Sequence, residues 1–203
     1  MIEQLIEQKQ SIFEQRFLLP GRYSWQQFRT IQSTLQDISQ IKITFLDGWI
    51  ELMTLGEDHE MIKSMIALLL GLYFLEKQID FIPVGSATRS SEAKGASFEP
   101  DESYYIGEKK ENPDFAIEVN LTSGSIDKLE KYKRFKIIEV WLWENNQIFI
   151  YCYRENNNTQ EYEKVSSSEL FVDLNINLLV RCVLMSSKLE AMKEFSKAIK
   201  NVS

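Results

Sequence analysis

The sequence has few cysteines, and their scarcity excludes one class of protein. Two of the 203 residues are cysteine, Cys152 and Cys182, which is too few for the disulfide framework of a small secreted domain. Both lie in apolar runs, where an unpaired cysteine behaves as a small hydrophobic residue. We therefore expect two buried free thiols, and nothing in the sequence points to an oxidising compartment.

Long hydrophobic runs are also missing. The longest run, Met65 to Leu75, is far short of the ~20 apolar residues that a membrane-spanning helix needs. The first residues contain no basic segment followed by an apolar one, which a secretory signal would show. The sequence therefore predicts a soluble, cytoplasmic protein with no membrane partner.

Positive charge is scarce as well, with 23 Lys and Arg against 30 Asp and Glu and a net charge of -7. A protein that coats nucleic acid non-specifically needs clustered basic residues to neutralise phosphates, so this class is disfavoured. A nuclease is not excluded, because a metal site is itself a cluster of carboxylates. A local basic patch over residues 128–136 can still contact a phosphate backbone.

The chain has the size and composition of one domain over residues 1–203, and no repeat, low-complexity tract or long linker interrupts it. A helical arm is predicted over residues 1–22, stopped by the turn residues Pro20-Gly21. Ser24 suits the N-cap of a second helix. Another helix is predicted over residues 186–203, where apolar residues recur at helical spacing.

Alternating and helical hydrophobic patterns follow one another between these ends. We predict a hairpin over 41–45 and 49–53 around the turn Asp47-Gly48, a central helix from Asp58 to about Lys77, strands over 81–84, 97–106 and 114–121, a helix from Ile126, capped by Ser125, to about Phe135, and strands over 139–143, 147–154 and 160–165. The fold class is α/β, a mixed central sheet flanked by helices.

A carboxylate in the middle of the strand 114–121 is the first candidate for chemistry. Alternation places Ala116, Glu118 and Asn120 on one face of this strand and its apolar residues on the other. An ionised glutamate in a half-buried strand is costly unless it is paired, and a metal ion shared with a second acid is one solution. Asp101 can supply that acid. From spacing alone, an ion pair with Lys or Arg explains the two acids equally well.

Two Pro-Asp pairs compete for the second acid, Pro100-Asp101 and Pro113-Asp114. Four residues of extended chain place Asp114 roughly 13 Å from Glu118, too far to share one ion with oxygen ligands at ~2.1 to 2.5 Å. Asp101 can lie on a neighbouring strand, about 4.8 Å away. Distance therefore favours Asp101, and Asp114 is interpreted as a residue that begins the strand.

The sequence resembles the Uma2 family, a restriction-endonuclease-like group within the PD-(D/E)XK nuclease superfamily. The resemblance covers most of the chain. It rests on Asp47-Gly48 with Glu51-Leu52-Met53, His59-Glu60, Glu99-Pro100-Asp101-Glu102 with Tyr104-Tyr105-Ile106, Pro113-Asp114 through Val119, Asp127-Lys128-Leu129 with Tyr132, and Glu139-Val140-Trp141. It implies a restriction-endonuclease-like fold.

The resemblance also implies a site. Asp101 and Glu118 would hold Mg²⁺ (or Mn²⁺), with the carbonyl of Val119 as a further ligand, and the substrate would be DNA. Such an ion polarises a phosphoryl oxygen and lowers the pKa of its bound water, which are the two main difficulties in hydrolysing an anionic ester.

This sequence departs from the superfamily pattern at the third motif position. A lysine is usual two residues after the glutamate, and here that residue is Asn120, which carries no positive charge. Lys128, at the start of the following helix, is the candidate replacement, and it shares a helix face with Tyr132. Lys131 is less favoured, one residue short of the next turn. An ordinary solvated helix lysine is an equally good interpretation of Lys128.

Asn120 and three further residues, His59, Glu60 and Glu51, are candidates for accessory roles. His59, the single histidine, and Glu60 open the central helix, where they can act as an accessory base and an extra metal carboxylate, or simply cap and pack the helix start. Glu51 can point inward from its strand or lie on the solvent face of the hairpin. The loop 86–97, with Arg89 and Lys94, can reach a phosphate, although a plain surface loop is the simpler interpretation.

The sequence thus predicts a Mg²⁺-dependent DNA endonuclease that uses Asp101, Glu118 and Lys128. The alternatives are a weakened or inactive nuclease fold that binds nucleic acid or a protein partner, favoured by Asn120 and the acidic charge, and a structural protein without metal. A homodimer is expected from exposed aromatic strands and because many duplex cutters use two centres. Trp141 and Trp143 share one strand face and are interpreted as core or oligomer surface rather than a base-stacking platform.

Overall fold

The computed structural model of the protein describes residues 14–38, 40–122, 127–156 and 159–200. The helices in these ranges are α1 (Trp25–Leu35), α2 (Glu57–Lys77), α3 (Lys128–Arg134), α4 (Ile176–Leu184) and α5 (Lys188–Lys200). The strands are β1 (Gln15–Leu18), β2 (Ile41–Leu46), β3 (Trp49–Thr54), β4 (Phe81–Pro83), β5 (Arg89–Ser91), β6 (Ala96–Phe98), β7 (Glu102–Ile106), β8 (Phe115–Asn120), β9 (Glu139–Glu144), β10 (Gln147–Glu155) and β11 (Gln160–Val165).

These strands form two sheets. The larger has the order β11-β10-β9-β8-β7-β4, in which β8 and β9 run parallel and all other neighbours run antiparallel. The smaller sheet is antiparallel and has the order β1-β3-β2-β6-β5. The mixed α/β architecture flanked by helices is confirmed, but the single sheet that we expected is divided in two.

The alternation predicted for β8 decides which side chains face which layer. Phe115, Ile117 and Val119 lie in the main core, whereas Ala116 belongs to a second cluster with Phe98 of the small sheet and Tyr132 of α3. Glu118 and Asn120 alternate with the first set and therefore point toward α3 and the small sheet. The crossover that a parallel pair such as β8 and β9 requires contains α3.

The helices cover the sheets in layers. Helices α2, α4 and α5 pack against one another and enclose the main core with one face of the large sheet. The opposite face of that sheet meets α3 and the small sheet. Helix α1 covers the other side of the small sheet, with Phe28 fully buried against Ile43 and Phe45. Polar residues that lie between the two sheets are consequently enclosed on every side.

Several local predictions are confirmed. Ser24 caps α1 through a capping box with Gln27. The turn Asp47-Gly48 has positive φ at both residues, 47° and 87°, as a tight hairpin requires. Cys152 and Cys182 are buried and unpaired. Among the described residues, no helix is both long and apolar enough to cross a bilayer.

The aromatic residues of β9 lie in the core. Trp141 and Trp143 are both 0% exposed and belong to the main core, as their interpretation as core residues proposed. They cannot form an oligomer surface in this position. The homodimer stays a prediction that rests on the need of duplex cutters for two centres.

The helical arm is wrong where the structure describes it. Gln15–Leu18 is a strand that pairs antiparallel with β3, and the part of the predicted arm before residue 14 lies outside the described residues. The apolar spacing in this segment also fits a helix, but the free edge of β3 offers backbone hydrogen bonds that decide in favour of a strand.

Three boundaries also differ from the predictions. Asp127 caps α3, accepting from the amides of Leu129 and Glu130, whereas the predicted cap Ser125 lies outside the described residues. The predicted loop 86–97 contains β5. The predicted strand 97–106 is two strands, because Pro100 cannot donate to a ladder and the chain passes there from one sheet to the other.

Glu139 provides a test of the packing beside β9. This carboxylate is 0% exposed and accepts hydrogen bonds from Trp141 Nε1 (2.6 Å), Ser168 Oγ (2.6 Å) and the amide of Glu169 (2.9 Å). In Glu139→Gln the side-chain amide would face these donors, so we expect a loss of about 2 to 3 kcal/mol in the free energy of unfolding, measured by urea denaturation. The exposed Glu161→Gln is the control, and equal midpoints for the two variants would contradict this role.

Candidate functional site

Glu118 lies on β8 and is bound by two consecutive residues of α3. Its side chain is 3% exposed. Lys131 Nζ lies 2.9 Å from Oε1, and the Tyr132 hydroxyl donates a short hydrogen bond to Oε2. Burial and the adjacent Glu118 hold the pKa of Tyr132 well above its ordinary value, so this phenol remains a donor. Both oxygens of Glu118 are therefore engaged.

Asp101 lies between β6 and β7, directly after Pro100, where the chain passes from the small sheet to the large one. Its backbone amide donates to the carbonyl of Ile117 (3.1 Å), and its Oδ2 accepts from the amide of Val119 (2.6 Å). Asp101 is thus bonded to the residues on both sides of Glu118 in β8. The prediction that these two acids lie on adjacent chain segments agrees with this arrangement, and we call Asp101 and Glu118 the carboxylate pair.

The other oxygen of Asp101 faces two cations. Lys42 Nζ of β2 makes a short contact with Oδ1, and His59 Nε2 lies 2.9 Å from the same atom. Burial alone would raise the pKa of Asp101, but Lys42 and His59 together hold it well below its ordinary value. Asp101 is consequently ionised.

His59, in the first turn of α2, bridges two acids. Its Nδ1 lies 2.7 Å from Glu14 Oε2, and its Nε2 faces Asp101, so both ring nitrogens meet carboxylate oxygens. Burial would lower the pKa of His59, but these two hydrogen bonds raise it to about 9. The ring is therefore an imidazolium that joins Glu14 to Asp101.

The N-terminal segment adds an acid, Glu14, which directly precedes β1, and a cation, Arg16, which lies on β1. Glu14 accepts from the amides of Leu121 (3.2 Å) and Thr122 (3.0 Å), directly after β8. Arg16 donates to Glu51 Oε1 (3.2 Å) and to Asn120 Oδ1 (2.9 Å). Of the two interpretations of Glu51, the inward one is therefore observed.

The charges of this site balance. The buried acids are Glu14, Glu51, Asp101 and Glu118, and the cations that contact them are Arg16, Lys42, His59 and Lys131. We call these eight residues, with Asn120 and Tyr132, the polar cluster. Since four negative charges meet four positive ones, the cluster is close to neutral despite its burial, which is what makes that burial tolerable.

The carboxylate pair fits a divalent metal in the chemistry of its donors, because carboxylate oxygens are the ligands that Mg²⁺ prefers. In the present arrangement every oxygen of the pair already accepts a hydrogen bond. No group of three or more His, Cys, Asp or Glu side chains is arranged as a metal cage within the part of the chain that the structure describes. A bound ion would have to displace the ammonium groups of Lys42 and Lys131.

The structure does not bring Lys128 to the carboxylate pair. Its Nζ lies 2.9 Å from Glu144, at the end of β9, whereas the ammonium beside Glu118 belongs to Lys131. The reason is the helix boundary. Since α3 begins at Lys128, this residue lies beyond the end of β8, and the next turn of the helix reaches back to Glu118.

Two other acids lie apart from the pair. Glu60 forms an ion pair with Lys63 (2.5 Å) on α2. Asp114 accepts from the amide of Ile106 (2.8 Å) and from Lys110 (2.7 Å) at the start of β8, as its interpretation as a strand-start residue proposed.

Sequence reasoning missed three members of the cluster, Glu14, Arg16 and Lys42, gave Tyr132 no role of its own, and ranked Lys131 below Lys128. Lys42 alternates with Ile41 and Ile43, which is typical of a solvent-facing residue in a strand with one exposed face. β2 is in the middle of the small sheet and is covered on both sides, so this lysine is 8% exposed. The sequence could have indicated the buried position of Lys42 only through its place in β2, a strand that lies between β3 and β6.

A surface cleft borders the cluster at Lys42. Its volume is ≈ 390 Å³, and its lining includes Lys42, Gly56, Glu60, Lys63 and Glu99. Lys42 lines this cleft and also contacts Asp101, which is itself 1% exposed.

Glu14 makes the stability of the cluster depend on pH. Burial would raise the pKa of Glu14, but the hydrogen bonds of His59 and Thr122 and the charge of Arg16 lower it from 4.5 to about 2. A lowered pKa contributes stability that is present above pH 4.5 and is lost as the pH falls through 2. We expect Glu14→Gln to reduce the free energy of unfolding by about 3 kcal/mol at neutral pH. The offset from wild type should vanish near pH 2 in urea titrations, and an offset that is constant with pH would contradict the assignment.

Comparison with known families adds one match. A profile of the Uma2 family, described as "Putative restriction endonuclease", matches residues 25–181, which is more than half of the chain. The matched region contains the carboxylate pair, Lys42, His59 and Lys131, and it leaves out β1 with Arg16. No curated protein matches the chain.

Proposed function

The chain belongs to the Uma2 family of restriction-endonuclease-like proteins, and from this premise we propose that it is a metal-dependent endonuclease that hydrolyses phosphodiester bonds in DNA. The observation that carries the proposal is the carboxylate pair. Two buried acids lie on adjacent segments that the hydrogen bond between Asp101 and the amide of Val119 joins, and Lys42, which contacts Asp101, lines a surface cleft.

We propose that Asp101, Glu118 and the carbonyl of Val119 hold Mg²⁺ or Mn²⁺. When bound, such an ion supplies Lewis-acid activation of the phosphoryl oxygen and of a water molecule. The chain's own cations compensate the charge of this place, because Lys42 and His59 contact Asp101 and Lys131 contacts Glu118. With an ion held by the pair, Lys42 and Lys131 would supply positive charge that compensates the charge of a phosphate.

We place the displaced motif lysine on Lys131 rather than on Lys128. Lys131 contacts Glu118 directly, and its side chain is 5% exposed, so its charge acts in a site of low dielectric. In this role Lys131 stabilises negative charge that develops on the phosphoryl group. His59 orients Asp101, since its ring bridges that acid and Glu14.

A direct test is cleavage of supercoiled plasmid DNA by the full-length protein with Mg²⁺ or Mn²⁺. We expect nicked and linear products that disappear when the metal is chelated. Intact plasmid under every metal and salt condition would overturn the proposal.

One observation favours a second function. A neutral cluster, in which every oxygen of the carboxylate pair accepts a hydrogen bond, is also what a nuclease fold without catalytic activity would keep for stability. Such a protein would bind nucleic acid or a protein partner without cutting. DNA binding in the absence of cleavage in the same assay would support this alternative.

A further inference from the structure

Asn120 occupies the motif position at which related nucleases carry lysine, and its side chain is only half satisfied. It is 4% exposed, its Oδ1 accepts from Arg16 Nη2 (2.9 Å), and its Nδ2 has no hydrogen-bond partner among the described residues. A buried amide donor without a partner costs roughly 1 to 3 kcal/mol. A donor kept at that cost inside the polar cluster indicates a ligand that accepts a hydrogen bond there.

Arg16 brings a positive charge to this same place. It lies on β1, an edge strand whose next two residues, Phe17 and Leu18, are 51% and 40% exposed, whereas the Arg16 side chain is 5% exposed. Three of the five N–H groups of its guanidinium bind Glu14, Glu51 and Asn120. The strand thus inserts one cation into the cluster while its other side chains face solvent.

The acids of the cluster keep Arg16 protonated next to the carboxylate pair. Burial would lower the pKa of Arg16, but Glu118 first, and then Glu14 and Glu51, raise it above its ordinary value. Glu118 therefore acts on Arg16 electrostatically although the two share no hydrogen bond among the described residues.

We propose that Arg16 and Asn120 form a second phosphate contact that acts together with Lys131: Asn120 Nδ2 donates to a non-bridging oxygen of the scissile phosphate, and Arg16 supplies the positive charge beside it. This inference rests on the proposed function. It adds a residue from outside the matched region 25–181 to the site, so the N-terminal strand becomes part of the reaction centre. Lys131 holds Glu118 from the helix side, and Arg16 acts from the strand side.

The geometry explains why this contact takes two residues. A lysine at position 120 would extend from β8 on the face that carries Glu118, toward the space that the guanidinium now fills. Asparagine is too short to fill this space itself, and its Oδ1 instead accepts a hydrogen bond from an arginine of another strand. A planar guanidinium keeps its charge when buried and can bind a phosphate in two places, as an ammonium cannot.

The experiment combines Arg16→Gln, Arg16→Lys and the double variant Arg16→Gln/Asn120→Lys, with Arg181→Gln as the control. Arg181 pairs with Glu194 on the far helices, so its removal should leave cleavage unchanged. We expect Arg16→Gln to lower kcat for plasmid cleavage about 100-fold, Arg16→Lys to retain an intermediate rate, and the double variant to regain at least about tenfold over Arg16→Gln. Melting temperatures identify variants that lose activity by unfolding.

A second readout is the affinity for Mn²⁺, measured by calorimetry without DNA. Loss of a positive charge beside the carboxylate pair should tighten Mn²⁺ binding about tenfold in Arg16→Gln, whereas purely structural damage would weaken it. Slower cleavage with tighter metal binding is therefore the expected signature.

The outcomes separate the inference from the proposed function. If wild type cleaves and Arg16→Gln cleaves as fast or faster, the inference fails, and β1 obstructs the centre instead. If wild type cleaves no DNA, the proposed function fails, and the Mn²⁺ titration then decides whether Arg16 acts on the pair. Unchanged or weaker Mn²⁺ binding in Arg16→Gln would overturn its placement.

Discussion

Asp101→Asn is expected to abolish metal-dependent cleavage, with kcat/KM at least about three orders of magnitude below wild type. The substitution removes the negative charge on which the metal depends. It also places an amide nitrogen next to Lys42 or the amide of Val119, where only acceptors fit. Plasmid cleavage measures the activity, and calorimetry with Mn²⁺ measures the loss of metal binding. Glu118→Gln, at the other end of the pair, should have an effect of the same order.

Asp114→Asn is the matched control for this experiment. Asp114 follows a proline as Asp101 does, and it is 3% exposed against 1% for Asp101, but its partners are Lys110 and the amide of Ile106. Any stability lost from a buried aspartate is therefore common to both variants. If Asp114→Asn loses as much cleavage and metal binding as Asp101→Asn, the carboxylate pair is not the metal centre.

Lys131→Met is expected to lower kcat by about 100- to 1,000-fold with a smaller change in KM. Methionine keeps the length of the apolar stem, so packing against Phe98, whose ring centroid is 5.1 Å from Nζ, is largely preserved. What disappears is the charge beside Glu118. The rate should be measured at saturating Mn²⁺ so that altered metal affinity does not contribute.

Lys128→Met is the comparison that separates the two lysines of α3. Lys128 pairs with Glu144 at the sheet end and is partly exposed, so its removal should change kcat less than about threefold. A larger loss in Lys128→Met than in Lys131→Met would return the catalytic role to Lys128 and would contradict the assignment made from the structure.

Elements that depend on neighbouring residues were predictable. The capping box of Ser24 and Gln27, the turn Asp47-Gly48 and the alternation of β8 all arise from interactions within a few residues, and each is observed. β1 was not predictable in this way. Its four residues have no strong preference of their own, and the edge of β3, more than 30 positions away, decides that they form a strand.

In the candidate site as well, the sequence indicated the residues that depend on local spacing but not those that depend on how the elements pack. Glu118 and Asp101 could be selected because an acid in an apolar strand is costly and because distance excludes Asp114 from sharing an ion with Glu118. The helix was predicted to start at Ile126 and α3 starts two residues later, and at 100° per residue such a shift turns a different side chain, that of Lys131, toward Glu118; which of the two lysines acts in catalysis stays a prediction. An error of that size at a helix end is enough to exchange a solvent lysine for a buried one.

The sequence by itself determined the periodicity of each element, the family and the identity of the carboxylate pair, because these depend on local spacing and on residue chemistry. The tertiary structure alone decided which cations meet those acids. Arg16 and Asn120 are 104 positions apart and Lys42 and Asp101 are 59 apart, and charges interact through space rather than along the chain. Only when β1 and β2 lie beside the end of β8 does a chain with net charge -7 contain a buried site in which four acids and four cations balance.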